Sequence, residues 1–196
     1  YRSEVDLKID YKEELNQQQW EAVTCPPGAA LVIAGAGAGK TRTLTYRVAY
    51  LIEHGVEPDR ILLLTFTNKA AKEMMLRVAS LLGQELTSLW GGTFHSIGNR
   101  LLRRHAQAIQ YPRDFTIMDR EDAKDLLSAC IAAEKIDVKA TRFPKPDVVA
   151  DISSQAVNRM IPIEEMIQDQ FAYFKHLTPQ IEAVQKRYIA RKREGG

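Results

Sequence analysis

The sequence predicts an α/β fold, with a parallel sheet in its first part and a mostly helical second part. Strand-like and helix-like segments alternate through residues 15–111, the mark of a parallel sheet with crossover helices. After Pro112 strand-like runs cease and helical periodicity takes over. A short apolar run, Ala29 to Ala34, leads straight into a glycine-rich loop and then a helix, as a buried parallel strand does.

The elements follow in order. Residues 1–14 are polar and of mixed charge and read as a loose lead-in. Asn16 is placed to cap a helix that carries Leu15, Ala22 and Val23 on one face and stops at Pro26-Pro27-Gly28. The run 29–34 is the first expected strand. Leu44, Val48, Leu51 and Ile52 recur at helical spacing over Lys40 to Glu53, and His54-Gly55 ends that helix. Ile61 to Phe66 is a second buried strand. Asn68 is the expected cap of a helix ending at Gly83. Ser88 to Phe94 is a third strand, followed by a helix to about Ala108. Beyond Pro112, helices are expected near 119–135, 145–158, 163–176 and 179–193. Asp119 and Asp122 have capping-box spacing. Thr178-Pro179 has the form of an N-cap followed by proline at the first helical position. The expected organisation is thus a lead-in over 1–14, a sheet-based subdomain over 15–111 and a helical subdomain over 112–196.

Composition narrows the classes. Of the 196 residues, 45% are hydrophobic and 27% charged, enough to bury a core. A net charge of only +2 excludes a uniformly basic nucleic-acid coat, so any such contact must rest on local groups. The basic run at Lys186, Arg187, Arg191, Lys192 and Arg193 reads as the solvated face of a terminal helix. Cys25 and Cys130 fit neither a metal spacing nor a disulfide framework, and no apolar run is long enough to span a bilayer. A cytoplasmic setting with no membrane partner is the expectation. A chain that begins at Tyr1 and ends in Gly195-Gly196 is expected to be a segment of a longer protein.

The strongest local signal is Ala34-Gly35-Ala36-Gly37-Ala38-Gly39-Lys40-Thr41. Small residues let the backbone curl so that several N–H groups point at one phosphate, and the following helix adds its N-terminal partial charge. Lys40 supplies a cation for the β- and γ-phosphates, and the Thr41 hydroxyl is a ligand for Mg²⁺. The general pattern has Gly at its first position, where this chain has Ala34. Such a loop specifies binding of a nucleoside triphosphate, not a reaction.

Three further clusters select among reactions. Leu15-Asn16-Gln17-Gln18-Gln19 precedes the loop; a Gln amide matches the N6/N7 edge of adenine, although a Gln-rich helix start taken alone reads as solvated surface. Leu64 to Met74 ends a strand in Thr65, Phe66 and Thr67 and opens a helix at Asn68, the place where ligands gather in open α/β sheets. There Phe66 is either a stacking platform for a base or a core residue. Gly92-Thr93-Phe94-His95-Ser96 closes another strand with the same choice.

In this order "LNQQQWEAV", "AGAGAGKTRTL", "LTFTNKAAKEM" and "GTFHS" resemble the superfamily 1 DNA helicases of the UvrD/Rep/PcrA type. "FTIMDREDAKDLL" and "KRYIARKREGG" extend the resemblance through a helical insertion. It implies a RecA-like P-loop NTPase domain that binds ATP and Mg²⁺, and a parent that is an ATP-dependent 3′–5′ helicase acting on single-stranded DNA and duplex junctions. Carried over by motif, Gln19 reads adenine, Ala34 through Thr41 hold the phosphates and Mg²⁺, Lys40 and Thr41 serve catalysis, and Arg42 lies beside the nucleotide. Thr65, Phe66, Asn68, Thr93, Phe94 and His95 line the single-strand path. Ala38 stands where the family usually has Ser; because the loop works through backbone N–H groups, little harm is expected.

Such motors also need an acidic pair for Mg²⁺ and the attacking water. Thr116-Ile117-Met118-Asp119 and Val148-Val149-Ala150-Asp151 end in single acids, read as a cap and a helix residue. The pair and the arginines of a second motor domain are therefore expected elsewhere in the parent, with the isolated segment inactive. A small self-sufficient P-loop enzyme such as a kinase would need its own acidic Mg²⁺ site. A vestigial DNA-binding module would not keep Lys40-Thr41 intact, and a helicase-nuclease of the same family would share this front end.

Overall fold

The computed structural model describes residues 6–195. The chain divides into two compact units, with the boundary between Leu102 and Arg103.

The first unit contains α1 (Tyr11–Glu14), α2 (Gln17–Thr24), α3 (Lys40–Glu53), β1 (Leu62–Thr65), α4 (Asn68–Leu82), β2 (Trp90–Thr93) and the start of α5 (Phe94–His105). The strands pair in parallel, Leu62 opposite Trp90 through Thr65 opposite Thr93. Parallel pairing requires a crossover, and α4 supplies it. Gly91 permits the close packing of α4: a Cβ there would run into the Met75 sulfur. Val48 and Ala49 of α3, Ile61, Leu63, and Met74 and Val78 of α4 form one buried cluster. Ile61, Leu63 and Thr65 are buried while Leu62 is exposed, so the sheet is covered on one face rather than on the two that its continuous apolar run suggested.

Two expectations are corrected in this unit. Residues 29–34 form no strand; Leu31 and Ile33 are 87% and 88% exposed. An apolar run marks a wish for burial, but a strand needs a neighbouring edge, and β1 and β2 pair with each other. The helix cap is Thr67, whose hydroxyl accepts from the Ala70 N–H, and Asn68 is the first helical residue. Gly83 closes α4 in the left-handed conformation, as expected.

The described part of the lead-in, from residue 6, is fastened; residues 1–5 lie outside the described residues. Tyr11, Leu15, Val23 and Tyr46 form a second buried cluster that seats α1 and α2 on α3. Glu53 accepts from the Lys8 N–H at 2.8 Å and from the Tyr11 hydroxyl at 2.6 Å.

The second unit is helical: α6 (Arg120–Ala133), α7 (Pro146–Arg159), α8 (Ile163–Gln170) and α9 (Thr178–Glu194). Leu127, Ile152, Met166, Ile167, Ile181 and Val184 are fully buried in its core. Asp119 and Asp122 form the expected capping box. Thr178 lies inside α9 rather than capping it, and its hydroxyl donates to the Lys175 carbonyl. The unit begins upstream of the composition change at Pro112. Within it, Arg103 donates to the Arg113 and Phe115 carbonyls and lies 4.6 Å over the Phe115 ring. Among the described residues no helix is long and apolar enough to cross a membrane.

Burial and the neighbouring Glu53 carboxylate push the Tyr11 phenol above its ordinary value of 10.0. A raised phenol favours the protonated folded state, so its contribution is intact below pH about 10 and is lost as pH rises beyond it. Tyr11→Phe is expected to lower stability by about 1–2 kcal/mol at neutral pH. It should also flatten the loss of stability above pH about 10. Urea unfolding followed by circular dichroism from pH 7 to 11 measures both.

Candidate functional site

The loop after residue 33 turns into α3 through Gly39, which is left-handed at φ 77°. A β-carbon is strained in that region, which explains glycine here. No side chain caps α3, so its first amides stay available to an anion. Gly37 is left-handed as well, at φ 75°. The Lys40 ammonium reaches back across the loop to the Ala34 carbonyl, 3.1 Å away. Thr41 is exposed on the first turn, and its carbonyl is taken by the Thr45 hydroxyl at 2.8 Å.

Gln19, twenty residues upstream in sequence, is brought to this loop. Asn16 accepts from the Gln19 N–H, and the Gln19 side-chain oxygen accepts from the Asn16 N–H, closing a capping box on α2. That fixes the amide so that its Nε2 would lie 2.7 Å from a β-carbon on Gly39. A cleft of about 210 Å³ lies beside them, lined by Gln19, Val32, Ala34, Ala38, Lys40 and Thr43 among others. Gly35, Ala36 and Gly37 form the exposed outer turn. Arg42 projects from the same first turn of α3. Its guanidinium donates to the backbone carbonyl and the carboxylate of Glu14, at 2.8 and 2.7 Å, and lies 4.8 Å over the Tyr46 ring. Tyr46, four residues on from Arg42, was discoverable from helical spacing. Glu14 gave no signal of that kind.

A second constellation sits where β1 and β2 end. Thr65 and Thr93 are opposite each other, so Phe66 and Phe94 follow side by side. Their ring centroids are 5.7 Å apart, and Phe66 is 92% exposed. A phenyl ring this exposed is not a core residue. Thr65 and Thr93 themselves are buried. The Thr65 hydroxyl donates to the Thr67 carbonyl, and the Thr93 hydroxyl accepts from the Ser96 N–H. They shape the strand ends, while Phe66, Asn68, Phe94 and His95 are at the surface. Among the described residues no group of three or more His, Cys, Asp or Glu side chains is placed to hold a metal ion.

Comparison with known proteins follows the same motifs. Residues 15–196 match the family profile described as the UvrD/REP helicase N-terminal domain. Over 143 residues, 72% of this chain, it is 49% identical to a protein of Staphylococcus epidermidis named ATP-dependent DNA helicase PcrA, covering 19% of that protein. The protein of the same name from Staphylococcus aureus is 48% identical over 126 residues, 64% of this chain and 17% of that protein. The chain spans about a fifth of the length of the relatives it matches.

Gly39→Ala would place a methyl group on a left-handed residue and against the Gln19 amide. It is expected to cost about 1–2 kcal/mol of stability, read by urea unfolding. Unchanged stability would mean that the loop relaxes without resistance.

Proposed function

The chain belongs to the UvrD/REP helicase family, and from that premise we propose that it is the ATP-binding and single-stranded-DNA-contacting front end of an ATP-dependent 3′–5′ DNA helicase. The observation that carries the proposal is the Gln19 amide packed on Gly39, at the mouth of a loop that opens an uncapped helix. In this reading the loop is the phosphate cradle of a RecA-like P-loop domain.

The residues present suit Mg²⁺-ATP. Two left-handed glycines and the uncapped amides of α3 form a cradle for phosphate oxygens. Lys40 exchanges the Ala34 carbonyl for a phosphate oxygen, a stronger, charge-assisted partner. The Thr41 hydroxyl is the side chain that would hold Mg²⁺, which neutralises charge developing on the phosphates. Gln19 keeps its cap while reading a base, because an amide oxygen has two lone pairs and Nε2 has two protons. Arg42 lies beside the nucleotide. Hydrolysis and unwinding are proposed for the longer parent, which brings the acidic pair and the arginines. The isolated chain binds adenine nucleotides weakly and hydrolyses them negligibly, since loss of an arginine finger alone costs about 10³–10⁵ in rate. Phe66 and Phe94 offer adjoining ring faces to successive bases, a sequence-tolerant mode suited to a strand on which a motor moves.

Gln19→Glu separates the two roles of that side chain. Glutamate at the third helical position preserves the capping box but cannot donate to adenine N7. The expected outcome is unchanged thermal stability with a loss of ATP over GTP preference worth about 1–3 kcal/mol. The added charge weakens both nucleotides alike, so an unchanged ratio of ATP to GTP affinity would remove Gln19 from base reading. Phe66→Ala is expected to weaken oligothymidine binding by about 1–3 kcal/mol in fluorescence anisotropy. The melting temperature should not move, because the ring is exposed. Unchanged DNA affinity would remove Phe66 from the path.

A further inference from the structure

We propose that Glu14 is a positioning residue for the nucleotide site, acting through Arg42. The inference rests on the reading above that Arg42 lies beside the bound nucleotide.

Three groups hold one guanidinium. The Arg42 terminal nitrogen donates both to the Glu14 carbonyl and to the Glu14 carboxylate. The Tyr46 ring lies beneath the guanidinium, and the Tyr46 hydroxyl donates to the same carboxylate oxygen at 3.2 Å. That oxygen therefore ties Arg42 and Tyr46 together. Glu14 is itself fixed: it ends α1, between the buried Tyr11 and Leu15, and Tyr11 is bonded to Glu53 at the other end of α3. Yet the Arg42 side chain is 46% exposed, so it is held from one side and open on another.

An exposed ion pair of this kind adds little to stability. Its effect falls on binding. An arginine that must be ordered when a ligand arrives gives up rotamer freedom at that moment, and one already ordered does not. The carboxylate works against this only through its charge, which repels phosphates whether or not Arg42 is present. The two effects are therefore separable.

The test is a double-mutant cycle on the 196-residue chain, read by titration with ribose-labelled fluorescent ADP and Mg²⁺, with melting by circular dichroism alongside. Glu14→Ala is expected to weaken binding about threefold to tenfold with the melting temperature nearly unchanged. Glu14→Gln keeps an oxygen for both Arg42 and Tyr46 and removes the repelling charge, and is expected to bind at least as tightly as the unsubstituted chain. Arg42→Ala is expected to weaken binding, and adding Glu14→Ala to it should produce no further loss. If Glu14→Ala binds as the parent does, or weakens the Arg42→Ala chain by the same factor as the parent, Glu14 does not act through Arg42. If Arg42→Ala binds normally while Gln19→Glu still loses ATP preference, the nucleotide site stands and Arg42, with this proposal, falls away from it. If the parent chain binds no ADP at all, the nucleotide reading fails first.

Discussion

The left-handed turn at Gly39 is the constraint on which the first unit depends. It lets the chain enter α3 with no side chain hydrogen-bonded to the helix end, leaving the first amides to a ligand and placing Lys40 and Thr41 on the first turn. α3 is then the support for everything around it. Arg42, Tyr46, Tyr50 and Glu53 recur at spacings of four, four and three, so they form one stripe. That stripe receives the lead-in: Arg42 takes Glu14, Tyr46 and Tyr50 each make a T-shaped contact with the Tyr11 ring, and Glu53 takes Tyr11 and Lys8. Val48 and Ala49, off that stripe, go into the cluster shared with α4 and Leu63.

The aromatic pair has a different origin, in topology. Parallel strands end at the same edge of a sheet, so residues that follow paired positions emerge together. Phe66 and Phe94 follow Thr65 and Thr93, and their rings meet although 28 residues separate them in sequence. An antiparallel pair in the same sequence would have put them at opposite ends. The threonines behind them spend their hydroxyls on the backbone of the turns that follow, which fixes the direction in which each phenyl ring leaves the strand.

What the sequence made legible was local chemistry. The boundaries of α3, the Asn16 cap of α2 and the capping box of α6 could be read from single residues because a cap is decided within four positions. Where two capping types stand side by side, as at Thr67 and Asn68, local chemistry does not choose, and the fold took the first. The run 29–34 was misread as a strand because pairing is a property of neighbours distant in sequence. The lead-in was misread for the same reason: Tyr11 looks like one aromatic in a polar stretch, and only the stripe on α3 explains its burial. Of the candidate site, the loop and the two phenylalanines were visible as motifs. The hold of Glu14 on Arg42 was not, since nothing in the spacing of the two residues announces it.

The two candidate surfaces are built by opposite means, and this bears on how each can fail. The groups around the loop are half-exposed and held by polar contacts, many of them reaching from α1 and α2, segments with few buried residues. Such contacts set direction more than stability, so their loss changes binding before it changes folding. The aromatic pair is fixed by backbone register and by the packing of Leu63, Met74 and Val78 beneath the strands. Moving the strand ends that carry those rings means disturbing a close-packed core, which resists small displacements. The loop side is thus the one open to retuning by single surface residues, the role proposed for Glu14, while the placement of the ring pair follows from the strands beneath it.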